Sequence, residues 1–469
     1  MVVKRRKQIK NNSVLNTDSY DRRKYNSLRE KSDELKIIEK KASMSNFDAL
    51  MGDIWASLFK TSPELCDKAS KGLEGNRAMI DRIMSDEFYE KIRPSTKLDS
   101  LMSALSSIRF SEKVSDWIKE EQKTNEELKE KMEKLQEEQQ SKGKGKAERV
   151  RNAEQALQQA LEDAVNQNGE GIASAFQKAC DEATEQKKKV EDLFGYNAGN
   201  GKPQLANVPF EEQIKLAELI KRKPNLKKIA DWAGRFKVIA RKKQKSKHKE
   251  SLSRNGITVG NDIENMLPAE LLMYSSKLTR LDFLRRYAEQ QTLMYDRKGK
   301  EQLGKGPIVV CLDESGSMKK MKEISKGFTL ALMMVAKMQK RDFAIVPFSS
   351  VAYSTEYPKG KISSVELGKF ASSFIDGGTE FKKPLNLVQS IISKSTYSKA
   401  DIIFITDGSA SLDEYTVENF NAFKEKKEAR MLSLIIGENE NDMALKKVSD
   451  KVVKITNFTD DAAFEAFEI

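Results

Sequence analysis

The stretch Ile308-Val-Val-Cys-Leu-Asp-Glu-Ser-Gly-Ser-Met318 decides how the chain is read. Its apolar residues run onto Asp313 and then through Ser315, Gly316 and Ser317. Bounded by Gly306-Pro307 and by this polar turn, the apolar run predicts a buried, parallel strand. The carboxylate and two hydroxyls at its C-terminal end alternate along the chain. Hard oxygen donors of this kind suit Mg²⁺, which keeps several waters and takes few carboxylates. The same residues also suit a plain strand-to-helix turn, with Ser315 or Ser317 capping the next helix. The rest of the chain separates the two readings.

After Met318, helical and extended patterns alternate. Helices are predicted over 324–338, 365–374, 383–392, 413–427 and 443–448, and strands over 343–348, 401–406, 431–436 and 452–455. Such alternation predicts a mostly parallel sheet with helices on both faces. Ligand sites in these sheets lie beyond the carboxyl ends of the strands. Polar clusters fall at that edge: Asp313-x-Ser315-x-Ser317, then Gly377-Gly378-Thr379 in a loop, then Thr406-Asp407-Gly408 after the 401–406 strand. Two carboxylates and three hydroxyls on one rim leave water or an outside ligand to complete an octahedral shell. Gly377 and Gly378 allow close backbone approach.

These positions resemble the metal-ion-dependent adhesion site of von Willebrand factor A domains, whose pattern is Asp-x-Ser-x-Ser, then Thr, then Asp. Carried over by position, the resemblance implies Asp313, Ser315, Ser317, Thr379 and Asp407 as ligands for Mg²⁺, with Mn²⁺ or Ca²⁺ as alternatives. It implies a Rossmann-like domain over 306–469. In that family an acidic side chain of a partner commonly completes the metal shell, so the site binds rather than catalyses. Asp376 and Glu380 flank the pattern without belonging to it. Upstream, Leu267-Pro-Ala-Glu-Leu271, Phe283-Leu-Arg-Arg-Tyr287 with Leu293-Met-Tyr295, and Gly306-Pro-Ile-Val-Val-Cys-Leu-Asp313 are similar to the ViaA family. This similarity runs from about Pro209 to the end of the chain. It implies a helical N-terminal part, a C-terminal von Willebrand factor A domain, and partnership with a MoxR-type AAA+ ATPase.

At 469 residues the chain exceeds what one core usually holds. Residues 306–469 hold 22 Lys and Arg against 23 Asp and Glu, a net −1, so the first 305 residues carry +13 of the overall +12. Residues 1–45, poor in apolar side chains before Leu35, predict a basic, disordered or loosely helical arm. Residues 46–300 predict a helical region. Its apolar stripes are Phe47-Leu50-Met51-Ile54-Leu58, Met79-Ile80-Ile83-Met84 and Leu98-Leu101-Met102-Leu105. A charged helix over 120–140 and an Ala/Leu-rich helix from Ala153 to Val165 flank a turn at Lys142-Gly-Lys-Gly-Lys146. That turn lacks the spacing and the preceding strand of a phosphate-binding loop. A loop over 197–209 precedes helices at 210–221 and from Pro224. Residues 221–254, with 14 Lys or Arg against Asp231 and Glu250, predict a basic linker. Leu278–Tyr295 predicts one more helix before a Gly/Lys-rich hinge at 298–307. The fold expected is therefore α + α/β, an all-helical region followed by a doubly wound, mostly parallel domain.

Cys66, Cys180 and Cys311 are far apart and lack disulfide or zinc spacing, as in a reducing compartment. His248 is the one histidine, which argues against a Ser-His-Asp or Cys-His catalytic unit and any multi-histidine metal site. The basic start Met1-Val-Val-Lys-Arg-Arg-Lys7 has no apolar stretch behind it, and no apolar run reaches membrane length. A cytoplasmic protein is expected. No Walker A pattern is present, so ATP hydrolysis would belong to the partner. The function expected is a non-enzymatic, metal-dependent adaptor or co-chaperone that joins the ATPase to an unidentified client protein. An alternative is binding of nucleic acid or an anionic membrane through Lys221–Arg254, which would weaken steeply with salt. A metal-dependent hydrolase would need a general base beside the metal, and nothing in the sequence marks Glu314 or Glu380 for that role.

Overall fold

A computed structural model describes residues 13–42, 44, 46–66, 72–141, 145–194, 208–250 (side chains to 243), 257–261, 263, 266–295, 306–394, 399–408, 410–437, 443–459 and 461–468. Cα packing divides the chain into two units, Met1–Ala230 with Ser363–Phe370, and Asp231–Ile362 with Ala371–Ile469.

The first unit is helical. Residues 19–41, part of the arm expected as disordered or loosely helical, form two regular helices, α1 (Ser19–Lys31) and α2 (Asp33–Lys41). Both helices are capped. Asp18 accepts the amides of Tyr20 (2.7 Å) and Asp21 (2.9 Å), and Asp21 accepts the amide of Asp18 in return. Ser32 accepts the amide of Leu35 at the start of α2. Caps of this kind stabilise by about 1 kcal/mol each, and Leu28, Leu35 and Ile38 are buried as well. Residues 1–12 lie outside the described residues.

The bundle continues with α3 (Phe47–Phe59), α4 (Glu74–Met84), α5 (Glu87–Thr96), α6 (Ser100–Thr124), α7 (Glu126–Gln140), α8 (Lys146–Phe194) and α9 (Phe210–Arg222). The predicted stripes on α3, α4 and α6 are core, with Leu50, Leu58, Met79, Ile80 and Leu105 all buried. Leu98 is the exception. It precedes α6 with φ +58° and is 62% exposed, because the turn rotates it off the helical stripe. The charged 120–140 segment is a helix break at Asn125 followed by α7, whose Leu128, Met132 and Leu135 are buried against α8. Within α8 the backbone breaks at Asn168 (φ −129°, ψ 40°). Residues 142–144 and 195–207, expected as a turn and a loop, lie outside the described residues.

The helix expected from Pro224 is α10 (Pro224–Glu250), and it takes up most of the lysine-rich run expected as a linker at 221–254, of which 251–254 lie outside the described residues. Charge counting hides an apolar series at helical spacing. Leu226, Ile229 and Ala230 are buried in the first unit; Ala233, Phe236 and Ala240 are buried in the second. Phe236 packs edge-on against Phe328, with ring centroids 5.3 Å apart.

After α10 the second unit continues with β1 (Ile257–Gly260), α11 (Pro268–Ser275), α12 (Arg280–Ala288) and β2 (Thr292–Tyr295), β1 and β2 pairing antiparallel. The helix expected over 278–295 therefore ends early. Gln290, at φ +57°, turns the chain into a strand. There follow β3 (Ile308–Asp313), α13 (Lys322–Met338), β4 (Phe343–Phe348), β5 (Thr355–Tyr357), α14 (Ser364–Ser372), α15 (Lys382–Ser393), β6 (Asp401–Thr406), α16 (Glu414–Lys427), β7 (Arg430–Ile436), α17 (Met443–Val448) and β8 (Lys451–Ile455). Most of α14 groups with the first unit.

Six strands form one sheet in the order β5-β4-β3-β6-β7-β8, parallel except for the edge strand β5. This is the mostly parallel, doubly wound sheet expected. β3 is central and buried along its whole length, as a strand covered on both faces must be. Val309 and Cys311 pack with Phe348, Phe381, Leu385, Val388 and Phe404 on one face. By the two-residue period, Val310 and Leu312 face the side covered by α13. The short β5 has too few apolar residues to read as a strand from pattern alone.

Candidate metal centre

The chain leaves β3 for β4 on one side and later reaches β6 on the other. The carboxyl ends of β3 and β6 therefore flank a switch in strand order, where such sheets open a crevice. Asp313 closes β3, in register with Phe348 of β4, and the amide of Glu314 donates to the Phe348 carbonyl at 2.7 Å. Asp407 follows β6 directly.

The side chains predicted to act together converge here. Asp313 Oδ1 accepts the amide of Ser315 at 2.8 Å. Ser315 Oγ and Ser317 Oγ lie 3.1 Å apart, and Ser317 Oγ donates to Asp407 Oδ1 at 2.8 Å. Thr379 enters beside Asp407. A Cβ placed on Gly408 would stand 3.0 Å from Thr379 Oγ1, so glycine at 408 allows that approach.

Further residues, which the motif alone does not name, hold the constellation. Thr406 donates its hydroxyl to Asp313 Oδ2 and accepts the amide of Gly408 at 3.0 Å. Gly316 donates to the Gly377 carbonyl (3.0 Å), and Asp376 donates its amide to the Glu314 carbonyl (3.0 Å). The loop carrying Thr379 is thereby laced to the turn carrying Ser315 and Ser317. Asp376 (φ +60°) and Gly377 (φ +105°) both sit in the left-handed region, which glycine tolerates and aspartate visits at a cost. Glu314, weighed above as a general base, is buried and ion-paired to Lys326. Glu380 pairs with Lys383 at 2.8 Å.

Burial pushes the Asp313 carboxyl up from its ordinary value, while hydrogen bonds from Thr406 and Ser315 pull it back and the neighbouring Asp407 raises it again. Two carboxylates drawn together at a half-closed edge repel each other, and a cation between them would relieve this. The donors are all oxygen, two carboxylates and three hydroxyls, with no imidazole or thiolate among the predicted residues. That set fits a hard divalent cation of the Mg²⁺ kind better than zinc. Among the described residues, no group of three or more His, Cys, Asp or Glu side chains is placed to share one ion. The hydroxyls would therefore have to supply part of the shell.

Comparison with known proteins locates the domain. The family of von Willebrand factor type A domains matches residues 308–410, a span that includes Asp313, Ser315, Ser317, Thr379 and Asp407. An uncharacterized protein of Methanocaldococcus jannaschii is 28% identical over 468 residues, 97% of this chain and 99% of its own. A second uncharacterized protein of that organism is 30% identical over 273 residues, covering 58% of this chain and 69% of its own. The regulatory protein ViaA of Proteus mirabilis is 26% identical over 284 residues, 53% of this chain and 57% of its own. The chain belongs to the ViaA-like proteins with a C-terminal von Willebrand factor type A domain. Against ViaA itself, this ViaA-like chain aligns over little more than half of either length. Among its described residues, no helix is long and apolar enough to cross a membrane.

Proposed function

We propose that this ViaA-like chain is a non-enzymatic, metal-dependent adaptor that joins a MoxR-type AAA+ ATPase to a client protein. In this reading residues 306–469 are the metal-binding domain. Asp313, Ser315, Ser317, Thr379 and Asp407 hold a divalent cation, Mg²⁺ first. When bound, the cation supplies a Lewis-acid contact for an acidic side chain of the partner. The chain's own residues do the rest. Thr406 and the Ser315 amide orient Asp313, Ser317 links the strand turn to Asp407, and Gly408 leaves room for Thr379.

The observation that carries the reading is the chain of contacts from Asp313 to Asp407: the Ser315 amide donates to Asp313 Oδ1 at 2.8 Å, Ser315 Oγ and Ser317 Oγ lie 3.1 Å apart, and Ser317 Oγ donates to Asp407 Oδ1 at 2.8 Å. A regulatory relative and a domain family suited to protein interaction support an adaptor rather than an enzyme. The test is calorimetric Mg²⁺ titration of the parent and of Asp313→Ala, paired with capture of the ATPase with and without EDTA. The expected result is loss of both Mg²⁺ binding and capture in the variant. Capture that is indifferent to EDTA and to the substitution would sink the metal-bridging version.

A second reading keeps the basic helix. Arg235 and Lys242 are exposed on the part of α10 that belongs to the second unit, Arg235 stacking over Trp232 at 4.8 Å. Binding of RNA, DNA or anionic vesicles through this surface would fall steeply between low and moderate salt. Salt-indifferent or absent binding would remove it.

A further inference from the structure

Glu314 and Lys326 form an ion pair that water barely reaches. Nζ lies 3.1 Å from Oε1, and the side chains are 2% and 1% exposed. As a core filler the pair is a poor choice, since apolar residues of similar volume are often as stabilising or more so. Its surroundings suggest another role. Glu314 directly follows Asp313, and its Oε2 accepts the amide of Ile375 at 3.2 Å. Lys326, on α13, donates to the carbonyl of Ser373. The side-chain pair therefore grips the loop at 373 and 375, beside the backbone bonds from Asp376 to Glu314 and from Gly316 to Gly377. Thr379 follows a short way along. The loop needs such support, because a non-glycine residue at φ +60° persists only where its surroundings over-determine it.

We propose that the Glu314–Lys326 pair is a positioning device: it sets the Gly377-Gly378-Thr379 loop against the Ser315–Ser317 turn, so that cation affinity depends on an ion pair whose members do not touch the cation. This rests on the metal-binding reading above. Lys326 is a buried charge on α13, with Thr329, Leu330 and Met333 buried beside it on its own face of the helix. Its placement is accounted for by what it holds.

The full chain is compared as parent, as Glu314→Gln, and as the double variant Glu314→Gln/Lys326→Met, which leaves no buried charge behind. Mn²⁺ affinity is read from the paramagnetic resonance of the free ion, loop order from deuterium exchange of the 374–377 amides in metal-free protein, and stability from Tm. The double variant is expected to keep a Tm near the parent's while binding Mn²⁺ about tenfold more weakly. Its loop amides should exchange about tenfold faster. Glu314→Gln, which keeps an acceptor for the Ile375 amide, should fall between the two. It also serves as the test should the double variant not fold. Unchanged Mn²⁺ affinity and unchanged exchange, with or without a lower Tm, would overturn the proposal and leave the pair a structural one. A parent that binds no Mn²⁺ would overturn the metal reading and the affinity claim together. The metal-free exchange rates distinguish that result from a loop the pair does not hold.

Discussion

At the scale of single residues, the site is a matter of close approach. Gly408 sits where a methyl would meet Thr379 Oγ1 at 3.0 Å and Cγ2 at 3.4 Å. Overpacking of this kind costs about 1–3 kcal/mol. Gly408→Ala should therefore push Thr379 away and weaken Mg²⁺ binding roughly tenfold, with a small change in Tm. A Tm loss with intact Mg²⁺ affinity would show that the position of Thr379 does not matter to the cation. Asp53 makes a different point in the helical unit. It is buried, accepting the Ser13 hydroxyl and the Val14 amide, and burial pushes its carboxyl up to about 7 against those hydrogen bonds. The folded chain thus keeps a proton that the unfolded chain releases near 3.8. The stabilisation is full below that pH and is lost as pH rises through about 7, each pH unit in between costing about 1.4 kcal/mol. Asp53→Asn should remove this fall, so urea unfolding at several pH values should show parent and variant diverging as pH rises. Parallel profiles would refute the assignment.

At the scale of elements, the bundle depends on backbones that come close. A Cβ on Gly75 of α4 would lie 2.6 Å from Leu161 Cβ and 2.9 Å from the Gln158 carbonyl of α8, and the neighbouring Asn76 amide donates to Gln158 Oε1 at 3.1 Å. Gly75→Ala should force α4 off α8 and cost about 1–3 kcal/mol in urea unfolding; a neutral result would mean the two helices separate without strain. Elements also show where pattern reading holds and where it fails. The β3 and β6 strands were legible because a strand covered on both faces is apolar throughout. α1, α2 and the length of α10 were less so, because their composition is that of a solvated chain. What makes them helical is a cap or a narrow stripe, Asp18 and Ser32 in the first case and Leu226 to Ala240 in the second. Buried charges bind the first two further: Glu34 meets Arg109 of α6 at 2.7 Å, and Ser32 donates to Glu218 of α9 at 2.8 Å.

At the scale of the whole molecule, two compact units predict unfolding that is not two-state. A cation that binds only the folded sheet unit stabilises it by about 2.7 kcal/mol at a hundredfold excess over Kd. Scanning calorimetry of the parent should therefore show Mg²⁺ raising the transition of the sheet unit and not the other, and in Asp313→Ala Mg²⁺ should raise neither. A shift of neither in the parent, or of either in the Asp313→Ala variant, would contradict the placement of the cation. The sequence by itself determined the parallel sheet, its apolar strands and the oxygen-rich pattern at Asp313, Ser315, Ser317, Thr379 and Asp407. These are written locally, in strand period, residue type and spacing. Only the tertiary structure decided that Thr406 orients Asp313, that Glu314 and Lys326 grip the loop before Thr379, and that a charged arm folds. The reason is physical. Whether a charge is solvated or buried and paired depends on surfaces brought to it from distant parts of the chain, and no local pattern carries that information.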